Sequence, residues 1–590
     1  MDIGGLALGV YKDAYFLSKS VYRLLTSAQY YKDEQKDVIQ EFYHEFLRLR
    51  AFHHVIFTLR GKEIAKDSHN VLPAKHLLTR LKEVLKEVCD TIKRLGEALS
   101  EYKNLAIKHD EQYRKYNIAS QPAAGPLFLE FPMDLDDLLP PSDLDTPRLK
   151  RSGFKLCLGG LKGIFKSPVF TTEAWVWVLF ERDRLQQAVA DFRRCNLDLA
   201  DFGPILLWST ALTRQDVQDI VRDAAQESGL AGRNVQSFLS HIRLREIAEH
   251  PDPAVYDGNT LDLSPFPNAK QMVASTSISA ATGDNPGTLI EYKRYSPASS
   301  YISNPFEEST QGSASETGGE TQRGNSLIAQ AHQLARLLFE AGSHEFHTLP
   351  FRGYLNDTSN SRFAFYFDYP QGASEKQPAT LRHLIGDNND AARLLLPQRF
   401  QIALTVSRAL GAFHADGWVH KSVRSHSVMF FYNHESRGMY DQPYLVDFEF
   451  SRPEMGGTQL SFDDDLERNL YRHPDRLGYP MVEFNKVHDV YGLGVVLLEL
   501  GLWQTARSIY DITLERWGED SVRSAARMQD IYLARAKGGL GHFMGPAYSD
   551  AVVTCLSGEL GEFLGKDDFA FMFRKKVVEK VDPRQLLDYP

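Results

Sequence analysis

Apolar side chains in the first 230 residues recur at the spacing of α-helices. The longest stripe alternates steps of three and four positions through Leu78, Leu81, Leu85, Val88, Ile92, Leu95, Leu99 and Tyr102. It predicts one apolar seam along a helix of about seven turns. Shorter stripes predict further helices from about Ile3 to Leu25, from about Asp33 to Leu59 and after Thr171. Because such stripes are buried against one another, residues 1–230 are predicted to form an all-α helical bundle.

The pattern changes after residue 256, where short strand-like runs alternate with helical ones. Thr288–Lys293, Phe351–Leu355 and Phe363–Phe367 are typical of strands. Helices are predicted from about Ser326 to Phe339 and from Thr405 to His414. The fold prediction is therefore a multidomain chain with three parts: the helical bundle in 1–230, a helical or loop linker in 231–256 and an α+β domain in 257–590.

Composition narrows the choice of partners and compartment. The net charge is −10 with a pI of about 6.0, which disfavours nucleic acid as a partner. The four cysteines are scattered without a Cys/His cluster, which favours a reducing compartment and predicts no zinc site. No signal peptide and no run of 18 apolar residues is visible. The expected location is the cytoplasm.

Charge is nevertheless segregated between the predicted long helices. Residues 117–147 contain no Lys or Arg, whereas residues 148–166 contain no acid. The basic side chains of this second stretch, interleaved with apolar ones, are Arg148, Lys150, Arg151, Lys155, Lys162 and Lys166. A basic amphipathic segment can bind anionic lipid or a partner. The alternative is that the acidic and basic stretches neutralise each other at the surface.

Four short motifs between residues 404 and 503 carry the most specific chemistry. In chain order they are Trp418–Val428, Tyr444–Glu449, Tyr471–Asp475 and Asp489–Gly494. Their order and spacing resemble the C-terminal lobe of protein kinases: the catalytic loop, the metal-binding DFG, the end of the activation segment and a buried helix. The resemblance implies a bilobal protein-kinase-like domain in 257–590.

The departures from the kinase pattern predict lost catalysis. In the family's H-R-D-L-x-x-x-N loop, the Asp is the catalytic base and the Asn binds magnesium. Ser422 and Ser427 stand at these two positions. A serine hydroxyl is too weak a base and a poor magnesium ligand. Asp447 keeps the aspartate of DFG and is the candidate Mg²⁺ ligand, while Glu449 replaces the glycine. We therefore predict a pseudokinase.

Nucleotide binding stays an open alternative. Lys293, at the end of a predicted strand, is the candidate for the nucleotide-binding lysine, although it could equally be a solvated surface lysine. The helix that should supply its partner carboxylate has none between Ser326 and Phe339, and no GxGxxG precedes the strand. Binding of ATP and Mg²⁺ would depend on Lys293 and Asp447. Asp447 could instead serve to pin its own loop.

The N-terminal half resembles the HeLo domain of fungal prion-inhibition and propagation, or heterokaryon-incompatibility, proteins. The resemblance rests on the Ile3–Leu25 pattern, the long third helix and Trp175-x-x-x-Leu179-Phe180, followed by Leu185, Phe192 and Asn196. It implies a bundle that self-associates, permeabilises membranes and takes part in programmed cell death.

Together the two resemblances predict a signalling and cell-death effector. The degenerate kinase domain, through a regulatory protein partner, would control the membrane-active bundle and its recruitment to the plasma membrane. One alternative is an active or weakly active ATP-dependent Ser/Thr protein kinase. Another is a non-enzymatic scaffold.

Overall fold

The chain forms two compact units, Met1–Leu239 and Ser240–Pro590, so the boundary lies within the predicted 231–256 linker. A computed structural model describes, with short internal gaps, residues 41–52, 79–91, 182–208, 240–248, 278–280, 287–294, 330–341, 346–386, 394–454, 465–517, 525–564 and 568–583. The predicted Ile3–Leu25 helix, the Trp175–Phe180 motif and the basic stretch from Arg148 to Lys166 lie outside these residues.

The described part of the first unit is helical. Its longest element is α1, Arg182–Trp208, a helix of 27 residues that contains Pro204. Residues 44–49 and 83–88 are also helical. Their apolar faces form a core in which the rings of Phe42 and Phe192 lie 5.3 Å apart. The amide of Asn196 donates hydrogen bonds to the carbonyl (2.8 Å) and the carboxylate (3.2 Å) of Glu45.

The second unit begins with a helix at residues 240–248 and contains a four-stranded antiparallel sheet with the order β1-β2-β4-β3. The strands are β1 (Ile278–Ala280), β2 (Thr288–Arg294), β3 (Phe351–Asp357) and β4 (Arg362–Asp368). A helix at residues 330–340 lies between β2 and β3 in sequence. The phenylalanines of β4 alternate with polar or small residues, and Phe365 lies opposite Glu291 of β2.

The rest of the second unit is mostly helical, with short antiparallel pairs. The strands are β5 (Ala379–Thr380), β6 (Trp418–Val419), β7 (Val428–Phe430), β8 (Tyr444–Leu445) and β9 (Arg452–Pro453). The helices are α2 (Leu381–Gly386), α3 (Leu396–Ala415), α4 (Leu466–Asn469), α5 (Lys486–Leu502), α6 (Ala506–Trp517), α7 (Ala525–Arg535), α8 (Gly541–Met544), α9 (Pro546–Ser557) and α10 (Phe569–Phe573). The chain is therefore predominantly helical with small antiparallel sheets.

Helix α5 lies at the centre of the second unit. Fifteen of its residues, from Val487 to Gly501, are buried, which explains why apolar residues occur on all of its faces. Asn485 caps its N-terminus, where the side chain accepts a hydrogen bond from the amide of Val487. Gly494 permits close packing on α9, since a Cβ there would lie 2.7 Å from that of Cys555. This central helix supports the loops that carry the predicted motifs.

The helix at 240–248 packs within the second unit, although the sequence predicted a linker in this region. The indole nitrogen of Trp418 donates to the carbonyl of Leu244 over 2.9 Å, and His241 pairs with the buried Asp416 at 2.7 Å. Gln333 of the 330–340 helix donates to the carbonyl of Ile247. Residues 240–248 therefore join the 330–340 helix to the end of α3.

Candidate functional site

A buried aspartate holds the predicted catalytic loop in place. The carboxylate of Asp489, near the start of α5, accepts hydrogen bonds from the backbone amides of His420 (2.7 Å) and Lys421 (2.8 Å). His414 of α3 lies 3.2 Å from the same carboxylate. Burial alone would raise the pKa of Asp489, but these hydrogen bonds and the neighbouring imidazoles lower it. An ionised Asp489 therefore fixes the loop's backbone.

Asp447 lies beside this loop, and its charge is neutralised by an arginine. Its backbone is in the left-handed region, with φ at 73°. The hydroxyl of Ser422 donates to Oδ2 over 2.6 Å, and Arg424 donates to the same oxygen from Nη2 (2.6 Å) and Nε (3.1 Å). The structure thus brings Ser422 and Asp447 together and adds Arg424 to them.

Ser427, at the second altered position, serves the loop itself. Its hydroxyl donates to the carbonyl of Arg424 over 2.7 Å and accepts from the amide of Arg424 over 3.0 Å. These two bonds close the short 3₁₀ turn Ser425–Ser427. The hydroxyl of Ser427 is therefore used in the turn that places the guanidinium against Asp447.

Strand β2 is tied to the backbone around Asp447 by two side chains. The carboxyl of Glu291 accepts from the amides of Asp447 (2.7 Å) and Phe448 (2.9 Å). Burial, with the nearby charge of Asp447, raises the pKa of Glu291 to about 8. Lys293 donates to the carbonyl of Glu449 over 2.7 Å, and burial lowers its pKa to about 8. Lys293 is thus neither a solvated surface lysine nor paired with a carboxylate from the 330–340 helix.

Phe448 completes the packing under the loop. It is 1% exposed, and its ring lies 4.7 Å from that of His420 and 5.7 Å from that of Phe413. Burial lowers the pKa of His420, so the neutral imidazole packs as an aromatic group. His420 accordingly supports the loop rather than transferring protons.

Two residues of this site, Arg424 and Glu291, were missed by the sequence analysis. Arg424 falls among the variable positions of the loop pattern, where no residue type is prescribed. Glu291 lies two positions before Lys293, and strand alternation puts both on one face of β2. That alternation was the available signal for Glu291, but it does not name the partner, which is 156 residues away.

These contacts do not fit a kinase metal site. A magnesium ion needs several oxygen ligands in octahedral geometry. Here Oδ2 of Asp447 is already bonded to Arg424 and Ser422, and the Ser427 hydroxyl is bonded to the loop backbone. The guanidinium also repels a second cation near Asp447. The hydroxyl of Ser422 donates a hydrogen bond to Asp447, and a neutral hydroxyl is too weak a base to take a proton from a substrate.

A second group of potential metal ligands lies beyond the loop. Ligand atoms of His473, Asp475 and His488 lie within 4.8 Å of one another. Nδ1 of His488 accepts from the amide of Asn485 over 2.9 Å. Nε2 therefore carries the ring proton and donates to Asp475, which leaves that nitrogen no lone pair for a metal. Partial burial would raise the pKa of Asp475, but hydrogen bonds from both histidines hold it well below its usual range. The trio is a hydrogen-bonded brace.

Among the helices in the described ranges, none has both the length and the apolar character needed to cross a membrane.

Comparison with known proteins gives a partial similarity. No family model matches the chain. A stretch of 135 residues is 29% identical to the leaf rust 10 disease-resistance locus receptor-like protein kinase-like 1.3 of Arabidopsis thaliana. The stretch covers 23% of this chain and 18% of that protein. These findings give no support to the predicted HeLo domain. Part of the chain is therefore similar to a plant receptor-like protein kinase.

Proposed function

We propose that residues 257–590 form a protein-kinase-like domain that regulates by binding and does not transfer phosphate. The order of elements along the chain supports the kinase-like interpretation. It runs through β2, the 330–340 helix, β3, β4 and α3, and then through the Ser422 loop, Asp447 and α5. The similarity to a plant protein kinase supports the same interpretation. The single observation that carries the lack of transfer is the bond between Arg424 and Asp447.

The proposal follows from the charges around Asp447. Phosphate transfer by this type of domain needs a carboxylate base and a metal ion held against the nucleotide. Ser422 is not basic at neutral pH, and its hydroxyl donates a hydrogen bond to Asp447. Arg424 supplies the positive charge at Asp447 that a metal ion supplies in an active kinase. The charge of Asp447 is thus neutralised by the chain itself.

The contacts of strand β2 also argue against the binding of ATP. The buried carboxyl of Glu291 lies on the same face of β2 as Lys293, the candidate nucleotide-binding residue. An ionised carboxylate there repels phosphate groups, and a protonated one offers them no charge. Lys293 itself is bonded to the carbonyl of Glu449. ATP would have to break this bond before using the lysine.

For the whole chain, we propose a signalling effector whose output belongs to the helical half. Its HeLo-like character, with self-association and action on anionic membrane, remains part of this proposal and rests on the sequence resemblance. The helix at 240–248 supports a regulatory connection, since it is the first segment of the second unit and contacts both the 330–340 helix and β6. A partner that displaces the 330–340 helix would also disturb residues 240–248.

A nucleotide titration of the full-length chain tests the loss of transfer. With ATP and Mg²⁺ we expect no rise in the unfolding temperature and no phosphate transfer to a general protein substrate. If the chain were instead a weakly active kinase, ATP and Mg²⁺ would raise the unfolding temperature, and this rise would be lost in Asp447→Ala. Phosphate transfer by purified protein, abolished by Asp447→Ala but not by the exposed Asp441→Ala, would falsify the proposal.

A further inference from the structure

A cavity of about 310 Å³ opens beside the altered catalytic loop. Its walls come from residues 421–424, from α4, from the 471–476 segment and from the start of α5. The aromatic residues in the wall are Phe450, Tyr471 and Phe484, and the cationic ones are Lys421, Arg424, Arg468, Arg472 and Arg476. The cavity therefore combines cationic side chains on several sides with three aromatic ones.

The lining contains five cations against one carboxylate. That carboxylate, Asp489, is buried and bonded to the amides of His420 and Lys421, so it faces the loop backbone. Arg424 is neutralised by Asp447, and Arg468 lies 3.3 Å from Asp465. Because cations outnumber carboxylates in the lining, the cavity has a positive potential, which a low-dielectric wall strengthens.

The surroundings of Lys421 are the strongest indication that the cavity binds an anion. Its backbone is in the left-handed region, with φ at 66°, and its amide is held by Asp489. Within the described part of the chain, its ammonium forms no ion pair with a carboxylate. Burial, followed by the charges of Arg452, Arg476 and Lys293, lowers the pKa of Lys421 to about 7. A bound anion would relieve this repulsion and restore the charged form.

We propose that this cavity binds a phosphate monoester, carried by a small molecule or by a phosphorylated side chain. Guanidinium groups bind phosphate oxygens in pairs, and several of them around one cavity favour a dianion over a carboxylate. A volume of about 310 Å³ is at the small end for ligand pockets and suits a phosphate group with its ester carbon. Phe450 and Phe484 supply apolar walls for that carbon. The cavity would thus bind a phosphate monoester, which is the product of a kinase reaction, although the adjacent loop does not catalyse that reaction.

The phosphate site does not depend on the loss of transfer chemistry. Its cations surround the cavity whether or not Asp447 can bind a metal ion. Failure to bind phosphate therefore leaves the previous proposal intact, and transfer activity leaves this one intact.

Calorimetric titration of the full-length chain, in EDTA and at near-physiological salt, tests the site. The ligands are phenyl phosphate, a synthetic phosphoserine peptide and the same peptide with unmodified serine. We expect both phosphate ligands to bind and the unmodified peptide not to bind. Loss of a charge-assisted contact in Lys421→Met or Arg472→Gln should weaken binding about tenfold or more. Arg437→Gln, which removes an equal charge from a side chain 80% exposed and outside the cavity, should bind like the wild type.

The results distinguish a phosphorylated side chain from a small-molecule phosphate as the ligand, and they include outcomes that contradict the proposal. A phosphopeptide that binds much more tightly than phenyl phosphate assigns the site to a phosphorylated side chain, and equal affinities assign it to a small phosphate. Arg472→Lys keeps the charge and should bind better than Arg472→Gln, which separates lost charge from misfolding. No binding of either phosphate, unchanged affinity in Lys421→Met and Arg472→Gln, or an equal loss in Arg437→Gln overturns the proposal.

Discussion

At the scale of single residues, Arg424 is the charge partner of the buried carboxyl group of Asp447. Asp447 is 1% exposed, and a buried carboxylate is stable only when it is paired and hydrogen-bonded. Arg424 and Ser422 meet that need from within the same loop. Ser427 in turn holds the turn that carries Arg424. Ser422 and Ser427, which stand at catalytic positions of the kinase pattern, therefore both help to hold the hydrogen bonds made to Asp447.

Replacement of Arg424 should show how much the buried carboxyl of Asp447 destabilises the folded chain when it has no charge partner. Arg424→Met leaves Asp447 without its cation, and we expect a loss of about 3–5 kcal/mol in the free energy of unfolding, measured in urea. Arg437→Met, at an exposed site, should change it by less than about 0.5 kcal/mol. Excess Mg²⁺ should stabilise Arg424→Met more than the wild type. Equal stabilisation of both would show that Arg424 does not occupy the position of the metal's charge.

Glu291 gives a second prediction, read from the pH dependence of stability. Its pKa of about 8 in the folded chain exceeds the ordinary value of 4.5, so between these pH values the folded state holds a proton that the unfolded state has released. The free energy of unfolding should therefore fall as pH rises through this window. Glu499, whose pKa burial raises to about 7, acts in the same direction.

Comparison of slopes isolates the contribution of Glu291. Glu291→Gln cannot titrate and should flatten the fall in stability between about pH 5 and 8. It also lowers stability at every pH, because one amide oxygen must serve two backbone N–H groups. Glu435→Gln, at an exposed site, should leave the slope unchanged. Equal slopes in wild type and Glu291→Gln would contradict the raised pKa.

At the scale of elements, α5 organises the site through a close approach to the catalytic loop. A Cβ at Gly492 would lie 2.5 Å from the carbonyl oxygen of Val423 and 3.3 Å from its Cβ. The loop cannot retreat easily, because Asp489 holds the amides of His420 and Lys421. Gly492 is thus required by the contact between helix and loop.

Gly492→Ala should destabilise the second unit by about 1–3 kcal/mol through this overpacking. Gly538→Ala is the matched control, since nothing lies within 4 Å of its added Cβ. There the higher helix propensity of Ala should stabilise by up to about 1 kcal/mol. Urea unfolding followed by tryptophan fluorescence measures both. A Gly492→Ala variant as stable as the wild type would mean that α5 and the loop are not in tight contact.

At the scale of the whole molecule, the net charge of −10 conceals local regions of positive charge. One is the cavity beside Lys421, and another is the basic stretch from Arg148 to Lys166. Such regions can bind anionic partners despite the overall charge, because salt screens charges more than about 10 Å apart. Binding behaviour is therefore expected to follow local charge rather than the total.

The membrane proposal is tested with the full-length chain and lipid vesicles. We expect dye release from vesicles that contain anionic lipid and little release from neutral ones. Lys155→Glu combined with Lys162→Glu should reduce the release, whereas Lys537→Glu with Lys580→Glu makes the same charge change elsewhere and should not. Absence of release and of vesicle binding at every concentration removes the membrane role and leaves the kinase-like proposal standing.

The helices in the described part of the first unit, the strands β2, β3 and β4, and the order of the site motifs could be predicted from the sequence. These follow from hydrophobic periodicity and short spacings, which are local properties. The sequence also predicts that Ser422 and Ser427, at two positions of the kinase pattern, cannot act as a carboxylate base or an amide ligand, because a hydroxyl's basicity hardly depends on the fold.

The partner that neutralises Asp447 and the contacts that hold β2 to its loop became visible in the folded structure and could not be predicted from the sequence. Arg424 is 23 residues from Asp447 and Glu291 is 156 residues from it. The same folding brought residues 240–248 of the predicted linker into the second unit and gathered the cations of the cavity around Lys421. Periodicity assigns a side chain to a face of a helix or strand, but its partner depends on how distant segments pack together.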